Sequence, residues 1–284
     1  MCYYNGQKVT RSEKIRLLQL EKTIADYDFL NRVVIDGFDY GNHAILKPQQ
    51  GKEDFDLVQS EWGFIPSWMK SEEDLFRFRM GGVNPTSGKY EKPFTTLNAI
   101  GEEVLDKPMY KNAARERRCI VISSGFYEWR HIYPIGKRGK PLKTAVAYPY
   151  YINLPGREYF YMAGIWNPWK GRDSSAIMTA SANELMTYVH NAKKRMPAIL
   201  TEELAYEWMF GKLNDKRIIE IATTQYNYEE MYAYSLDKDF LNSVDPTKRV
   251  NHPVLPPIPL PKYIKEHEHL IIEDEHLRQG NLFG

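Results

Sequence analysis

Cys2 directly follows Met1. Methionine aminopeptidases remove an initial Met when the next residue is small, and cysteine is small enough, so the mature chain would begin with a 1,2-aminothiol. An α-amine ordinarily titrates at about 7.7–8.0 and a thiol at about 8.5, so both are nucleophilic near neutral pH with little tuning. Together they attack an aldehyde in two steps: the amine forms a Schiff base, and the thiol closes it to a five-membered thiazolidine. An N-terminal amine can also serve as the base for its own nucleophile. The plainer reading of Cys2 is an incidental cysteine on a loose terminus.

Three other segments carry residues that such chemistry needs. Asn98 stands in Thr96-Leu97-Asn98-Ala99, ahead of the acid pair Glu102 and Glu103. Glu128 lies between aromatic residues in Ser124-Gly125-Phe126-Tyr127-Glu128-Trp129. An apolar setting desolvates a carboxylate and raises its pKa, as a general acid/base requires; a strand glutamate facing water or an arginine is the alternative. His190 precedes Asn191-Ala192-Lys193-Lys194-Arg195-Met196-Pro197. Alone it reads equally as a structural histidine, and Lys193, Lys194 and Arg195 as a solvated face.

Other chemistries are absent. There is no G-x-x-x-x-G-K-[ST], G-x-G-x-x-G, G-x-S-x-G or H-E-x-x-H pattern. Two cysteines, Cys2 and Cys119, exclude a disulfide framework and a multi-thiolate zinc site. His267-Glu268-His269 has an i, i+2 spacing that suits a solvated segment better than a metal site, and no metal is expected. Net charge is +1, from 38 basic and 37 acidic residues, so any nucleic-acid surface must be local. No apolar run approaches the roughly 18–20 residues that span a bilayer. The start lacks the basic and apolar regions of a secretory signal, which predicts a reduced, cytoplasmic protein with no membrane contact.

The elements that must hold these residues are mostly strands. A composition of 43% hydrophobic and 26% charged residues predicts a globular core rather than a disordered or fibrous chain. A first helix is expected from the cap Ser12 through Ile15, Leu17, Leu18 and Ile24. Strand-like runs follow at Arg32–Ile35, His43–Leu46 and Phe55–Trp62, then an aromatic turn through Pro66 to Trp68. Gly81–Tyr90 reads as a surface loop, and Asn112–Arg118 as the end of a basic helix. Cys119–Ser123 reads as a buried strand, broken at Gly125 and resumed at Phe126–Arg130. Further strands are expected at Ala145–Leu154, Tyr159–Trp166 and Ala176–Ala180, and a helix at Thr201–Phe210. Helices do not alternate with strands, so the expected class is α+β, a mixed, strand-rich single domain over residues 1–252. Pro253, Pro256, Pro257, Pro259 and Pro261 open a Pro-rich arm over 253–284, with a charged segment from Ile264 that allows a short helix and a contact with a neighbour.

The ordered set Met1-Cys2, Trp62-Gly63-Phe64-Ile65-Pro66-x-Trp68, Leu97-Asn98-Ala99 with Glu102, Gly125-Phe126-Tyr127-Glu128-Trp129, Ala163-Gly164-Ile165-Trp166, and His190 ahead of Arg195-Met196-Pro197 resembles the SRAP (SOS-response-associated peptidase) family across most of residues 1–250. The resemblance implies a barrel-like sheet core with peripheral helices and a cleft open to single-stranded DNA. It implies covalent capture of abasic sites through Cys2, without cofactor, and autoproteolytic exposure of that residue. In it, Asn98 orients the α-amine and sugar. Glu128 acts as general acid/base, including in reversal or lyase-type cleavage, and His190 helps protonate the sugar oxygen. Trp62, Trp68 and Trp129 are candidates for stacking on unpaired bases, Trp62 and Trp129 equally for core packing.

The chain departs from the family at DNA-gripping positions. Tyr4 and Ile100 stand where members usually carry arginine, and extra residues separate His190 from Arg195. Lys193, Lys194 and Arg195, or Arg115, Arg117 and Arg118, are the candidate replacements. A cysteine-type peptidase acting on other peptides and a non-catalytic binding module are the alternatives.

Overall fold

A computed structural model describes residues 2–260 and residue 266; the reading of His267-Glu268-His269 and that of a short helix behind the prolines lie outside the described residues. Five strands close a barrel: Asn42–Pro48 pairs with Phe55–Trp62, which pairs in parallel with Arg172–Ser181; this pairs with Phe160–Trp169, then Arg118–Ser123, and so back to Asn42–Pro48. Short strands extend it, among them Asn98–Ile100 and Arg195–Pro197, both on Arg172–Ser181. A second, antiparallel sheet runs in the order Tyr232–Ser235, Val146–Asn153, Gly125–Ile132, Tyr4–Lys8, Asn31–Asp36. The mixed, strand-rich α+β fold expected from the sequence is the one observed.

Alternation along the barrel strands explains the packing, since successive side chains of a strand leave on opposite faces. Ile120 and Ile122 join an apolar cluster with Ala113, Trp208 and Ile218 from the helices Lys111–Glu116, Glu202–Phe210 and Asp215–Ala222. Cys119 and Val121 join another, with Phe126 and Ile152 from the second sheet. The two sheets share one continuous segment. The chain leaves the barrel at Ser123 and enters the second sheet at Gly125. A Cβ there would lie 2.2 Å from the Tyr151 ring, so only glycine lets the chain cross. Buried amides complete the joint: Gln7 donates to the carbonyls of Ala44 and Ile122 and accepts from the Ala44 N–H, while Asn5 donates to Ile122.

One expected element is different. Residues 12–24 form no α-helix but a hairpin, Lys14–Leu17 with Leu20–Thr23. Ile15 and Leu17 are buried and Arg16 between them is exposed, a period of two that outweighed the apparent helical spacing. The helices Glu72–Met80, Glu184–Val189 and Asp215–Ala222 had no counterpart in the sequence reading. The strands expected at Phe55–Trp62 and Cys119–Ser123 and the helix at Thr201–Phe210 are present, within a residue of their bounds. Residues 253–260 lie against the protein, with Leu255, Ile258 and Leu260 packed on the cluster that contains Cys2. Among the described residues, no helix is long and apolar enough to cross a membrane.

Candidate active site

Cys2 sits just ahead of the strand Tyr4–Lys8, which pairs with Gly125–Ile132 in the register Tyr4 to Tyr127 and Asn5 to Phe126. Continuing that register sets Tyr3 across from Glu128 and Cys2 across from Trp129, one residue from Glu128. The residue is fully buried, and its Sγ donates to the Tyr4 carbonyl at 3.5 Å. Burial, and after it the Glu128 carboxylate, push the thiol well above its usual pKa, so it is held protonated.

Asn98 reaches Cys2 from the barrel. It begins the strand Asn98–Ile100, in register with Ile177, and its Nδ2 donates to the Cys2 carbonyl at 2.8 Å. Its buried Oδ1 has no hydrogen-bond partner among the described residues. The preceding carbonyl, of Leu97, is fixed by the Trp62 indole N–H at 2.9 Å.

Glu128 is 3% exposed, in the middle of its strand, and burial raises its pKa to about 8. His190 caps the C-terminus of the helix Glu184–Val189, whose N-terminus is capped by Asn183 accepting from the Met186 N–H. The His190 Nδ1 lies 2.9 Å from the Arg195 carbonyl and 3.4 Å from Glu128 Oε1. A carbonyl only accepts, so Nδ1 carries the proton of the neutral ring. Burial lowers the pKa of His190 to about 4. At neutral pH the pair is therefore a protonated acid beside a neutral imidazole.

The extra residues after His190 are part of this construction. Lys194 adopts a left-handed conformation, φ 51°, and its N–H closes the turn on the His190 carbonyl at 2.8 Å. Asn191 pins the turn to the Glu128 strand: its Oδ1 accepts from the His131 N–H at 2.9 Å and its Nδ2 donates to the His131 carbonyl at 2.8 Å. Only the assembled strand reveals this role; the sequence signal is no more than an Asn after the His.

The structure thus brings Cys2 to Asn98 and Glu128 to His190, with the Cys2 segment running along Glu128. It separates the residues considered for DNA. Trp62 is fully buried, stacked on His43 with centroids 5.3 Å apart, which leaves neither face for a base; its place is in the core. Trp129 is half-buried against Tyr4 and Phe240, whereas Trp68 is 49% exposed. Lys193 and Lys194 are exposed. Arg195 is held by both carboxylate oxygens of Glu102, at 2.8 and 2.7 Å. Arg118 cannot grip phosphate in this fold, because it is buried and its guanidinium donates to the carbonyls of Ala114, Arg115, Trp208 and Gly211. Arg115 and Arg117 pair with Asp215 and Glu116. Among the described residues no group of His, Cys, Asp or Glu side chains is arranged to hold a metal ion.

Residues 32–243 match the family model described as SOS response associated peptidase (SRAP). The chain belongs to the SRAP family. It is similar to the abasic site processing protein YoqW of Bacillus subtilis, with 28% identity over 185 residues, covering 63% of this chain and 69% of that one. It is also similar to the abasic site processing protein HMCES of Pongo abelii, at 27% over 198 residues, and spans about half of that longer protein, 48%. Among solved structures, a Bacteroides thetaiotaomicron protein superimposes with a TM-score of 0.63 and 26% identity, over 88% of this chain and all of that one. The SRAP resemblance read from the sequence is borne out, and the match begins after Cys2.

Proposed function

We propose that this protein processes abasic sites in DNA by covalent capture: once Met1 is removed, Cys2 forms a thiazolidine with the ring-opened sugar of an abasic site in single-stranded DNA. The observation that carries this reading is the pairing of Glu128 with His190 beside the Cys2 segment, with Asn98 bonded to the Cys2 carbonyl. The names of the SRAP relatives, abasic site processing proteins, support it and place the chain's work in DNA damage and repair.

The steps balance with this chain's own groups. Ring opening moves the proton of the C1′ hydroxyl to the sugar ring oxygen, relayed through the Glu128–His190 pair, which ends the step in the protonation state in which it began. The Cys2 amine adds to the C1′ aldehyde, and the protonated Glu128 gives its proton to the departing hydroxyl, which leaves as water. Glu128, now a carboxylate, takes the proton from Sγ, and the sulfur adds to the iminium carbon to close the ring. One carboxyl acts first as acid and then as base, the work for which a pKa near neutrality is suited. Burial that keeps the thiol protonated delays it until the iminium exists. No cofactor enters these steps. Reversal and strand cleavage would use the same pair, and removal of Met1 by it would be the peptidase activity of the family name. Trp68, Lys193 and Lys194, exposed in the structure, are the DNA contacts this reading assigns, with Arg195 joining them by exchanging Glu102 for phosphate.

The test joins intact mass with trapping. Protein shown by mass to begin at Cys2 is mixed with single-stranded DNA carrying one abasic site, with Cys2→Ala as control. The expected result is a heat-stable adduct that needs no reductant and is absent from Cys2→Ala. No adduct from protein that begins at Cys2 would overturn the proposal in favour of a binding module. Turnover of unrelated peptides without DNA would favour a cysteine peptidase.

A further inference from the structure

We infer that Arg130 is a seat for a DNA backbone phosphate next to the catalytic pair, and that the Pro-rich arm occupies this seat when DNA is absent. The inference rests on the proposed action on single-stranded DNA and names where its backbone runs.

Arg130 follows Glu128 by two residues in one strand, so the two side chains leave the sheet on the same face. It is 5% exposed. A guanidinium stays charged at any working pH, and a buried charge is costly unless an opposite charge meets it. Among the described residues no carboxylate forms an ion pair with Arg130. Its partners are neutral: Nη1 donates to the Pro256 carbonyl at 2.5 Å and to the Tyr150 hydroxyl at 3.3 Å, while the buried Nε has none. The cover itself, Val254-Leu255-Pro256-Pro257-Ile258-Pro259-Leu260, contains no acid that could supply the missing charge.

The surroundings share this character. Tyr150 is the cross-strand partner of Glu128, and Tyr148 that of Arg130. Lys238 lies 4.2 Å from the Tyr148 ring centroid, and His252 packs edge-on against the same ring. Cations interleaved with aromatic rings beside the strand that carries the catalytic acid are what a single-stranded backbone and its bases require. The arm satisfies one N–H of Arg130 with a carbonyl oxygen; a phosphate would satisfy that N–H and Nε and neutralise the charge.

The test is binding of an intact, fluorescently labelled 15-nucleotide oligothymidylate at several salt concentrations. That probe has no aldehyde, so the readout is independent of crosslinking: a wild type that binds it yet fails to trap an abasic site would refute the capture reading and leave this one standing. Arg130→Gln, which still donates to Pro256, is expected to weaken binding several-fold and to reduce the slope of log K against log salt by about 0.7, the value of one single-strand phosphate contact. Arg130→Lys is expected to retain the slope. Leu255→Ser with Ile258→Ser loosens the arm and is expected to tighten binding several-fold. An unchanged salt slope in Arg130→Gln, or no binding by the wild type, would overturn the phosphate seat. Unchanged or weaker binding by the arm variant would overturn its occlusion.

Discussion

His190 Nδ1 lies 3.4 Å from Glu128 Oε1 while donating to the Arg195 carbonyl at 2.9 Å. The second contact fixes which ring nitrogen carries the proton. Burial of both groups favours their uncharged forms, so His190 stays neutral beside Glu128 even though the Arg195 carbonyl, by accepting from Nδ1, pulls its pKa the other way. A solvent-exposed His–Glu couple would form an ion pair at pH 6; this one is held uncharged on both sides.

Adduct formation should therefore follow a bell-shaped pH profile. The working state, neutral His190 and protonated Glu128, exists between about 4 and about 8, the apparent values of the coupled pair. Rates measured from pH 3.5 to 9.5 should fall on both sides of a plateau between those values. Glu128→Gln should slow adduct formation by about 10²-fold or more and abolish the alkaline limb. A rate that climbs steadily through pH 9 would instead indicate a free thiolate as the limiting nucleophile.

The same two shifts act on stability with opposite sign. Glu128 keeps its proton in the folded state up to about 8, whereas the unfolded chain loses it near 4.5. The folded state thus binds more protons in that window, and stability falls as pH rises through it. His190 is neutral when folded down to about 4 but protonated below about 6.5 when unfolded, so its penalty grows as pH falls through that interval. Chemical denaturation should show Glu128→Gln gaining on the wild type toward pH 8–9, on the order of a few kcal/mol, with no gain at pH 4. His190→Gln should gain only below about pH 6.5.

Much of this was legible in the sequence, for identifiable reasons. Buried barrel strands such as Cys119–Ser123 are unbroken apolar runs, and the four residues of the site belong to types whose chemistry interlocks. Residues 12–24 misled because Ile15, Leu18 and the later apolar residues fit a helical spacing, while the decisive alternation spans only Ile15-Arg16-Leu17. Trp62 illustrates another limit: an indole in a Gly-Phe-Ile-Pro context looks like a stacking platform until the fold encloses it against His43. Asn191 and Arg130 act through a strand about 60 residues away and an arm about 125 residues away, pairings no local pattern records.

Asn191 offers a test of positioning without touching the reacting groups. Asn191→Ala removes both hydrogen bonds to the His131 backbone, a loss of about 1–2 kcal/mol in stability. The turn that carries His190 would then lose its tie to the strand of Glu128. Adduct formation at saturating DNA should slow about tenfold, with the oligonucleotide Kd unchanged and the pH limbs displaced. A variant with wild-type rate and profile would show that the helix cap alone fixes His190.

For Asn98, the donor matters more than the size. Asn98→Ala leaves the Cys2 carbonyl without its 2.8 Å partner and should cost about 1–3 kcal/mol while slowing adduct formation at least tenfold. Asn98→Asp keeps the shape but replaces the donating amide with an acceptor facing a carbonyl oxygen, so it should be slower still. Comparing the two at pH 6 and pH 8 separates loss of the bond from added charge, because only the Asp variant would place a second carboxylate near Glu128.

The crossing at Gly125 predicts a stability effect remote from the chemistry. A methyl at this position would meet the Tyr151 ring, whose hydroxyl donates to the Ser124 carbonyl at 2.9 Å. Gly125→Ala must displace that ring from its packing on Tyr127, with centroids 5.0 Å apart, and should destabilise the protein by about 1–3 kcal/mol. Tyr151→Phe should cost only the hydrogen bond, about 1 kcal/mol. Combined with Gly125→Ala, Tyr151→Ala removes the obstructing ring, so the double variant should lose less than the sum of the single losses in thermal denaturation. Strict additivity would mean that the glycine is needed for something other than clearance from Tyr151.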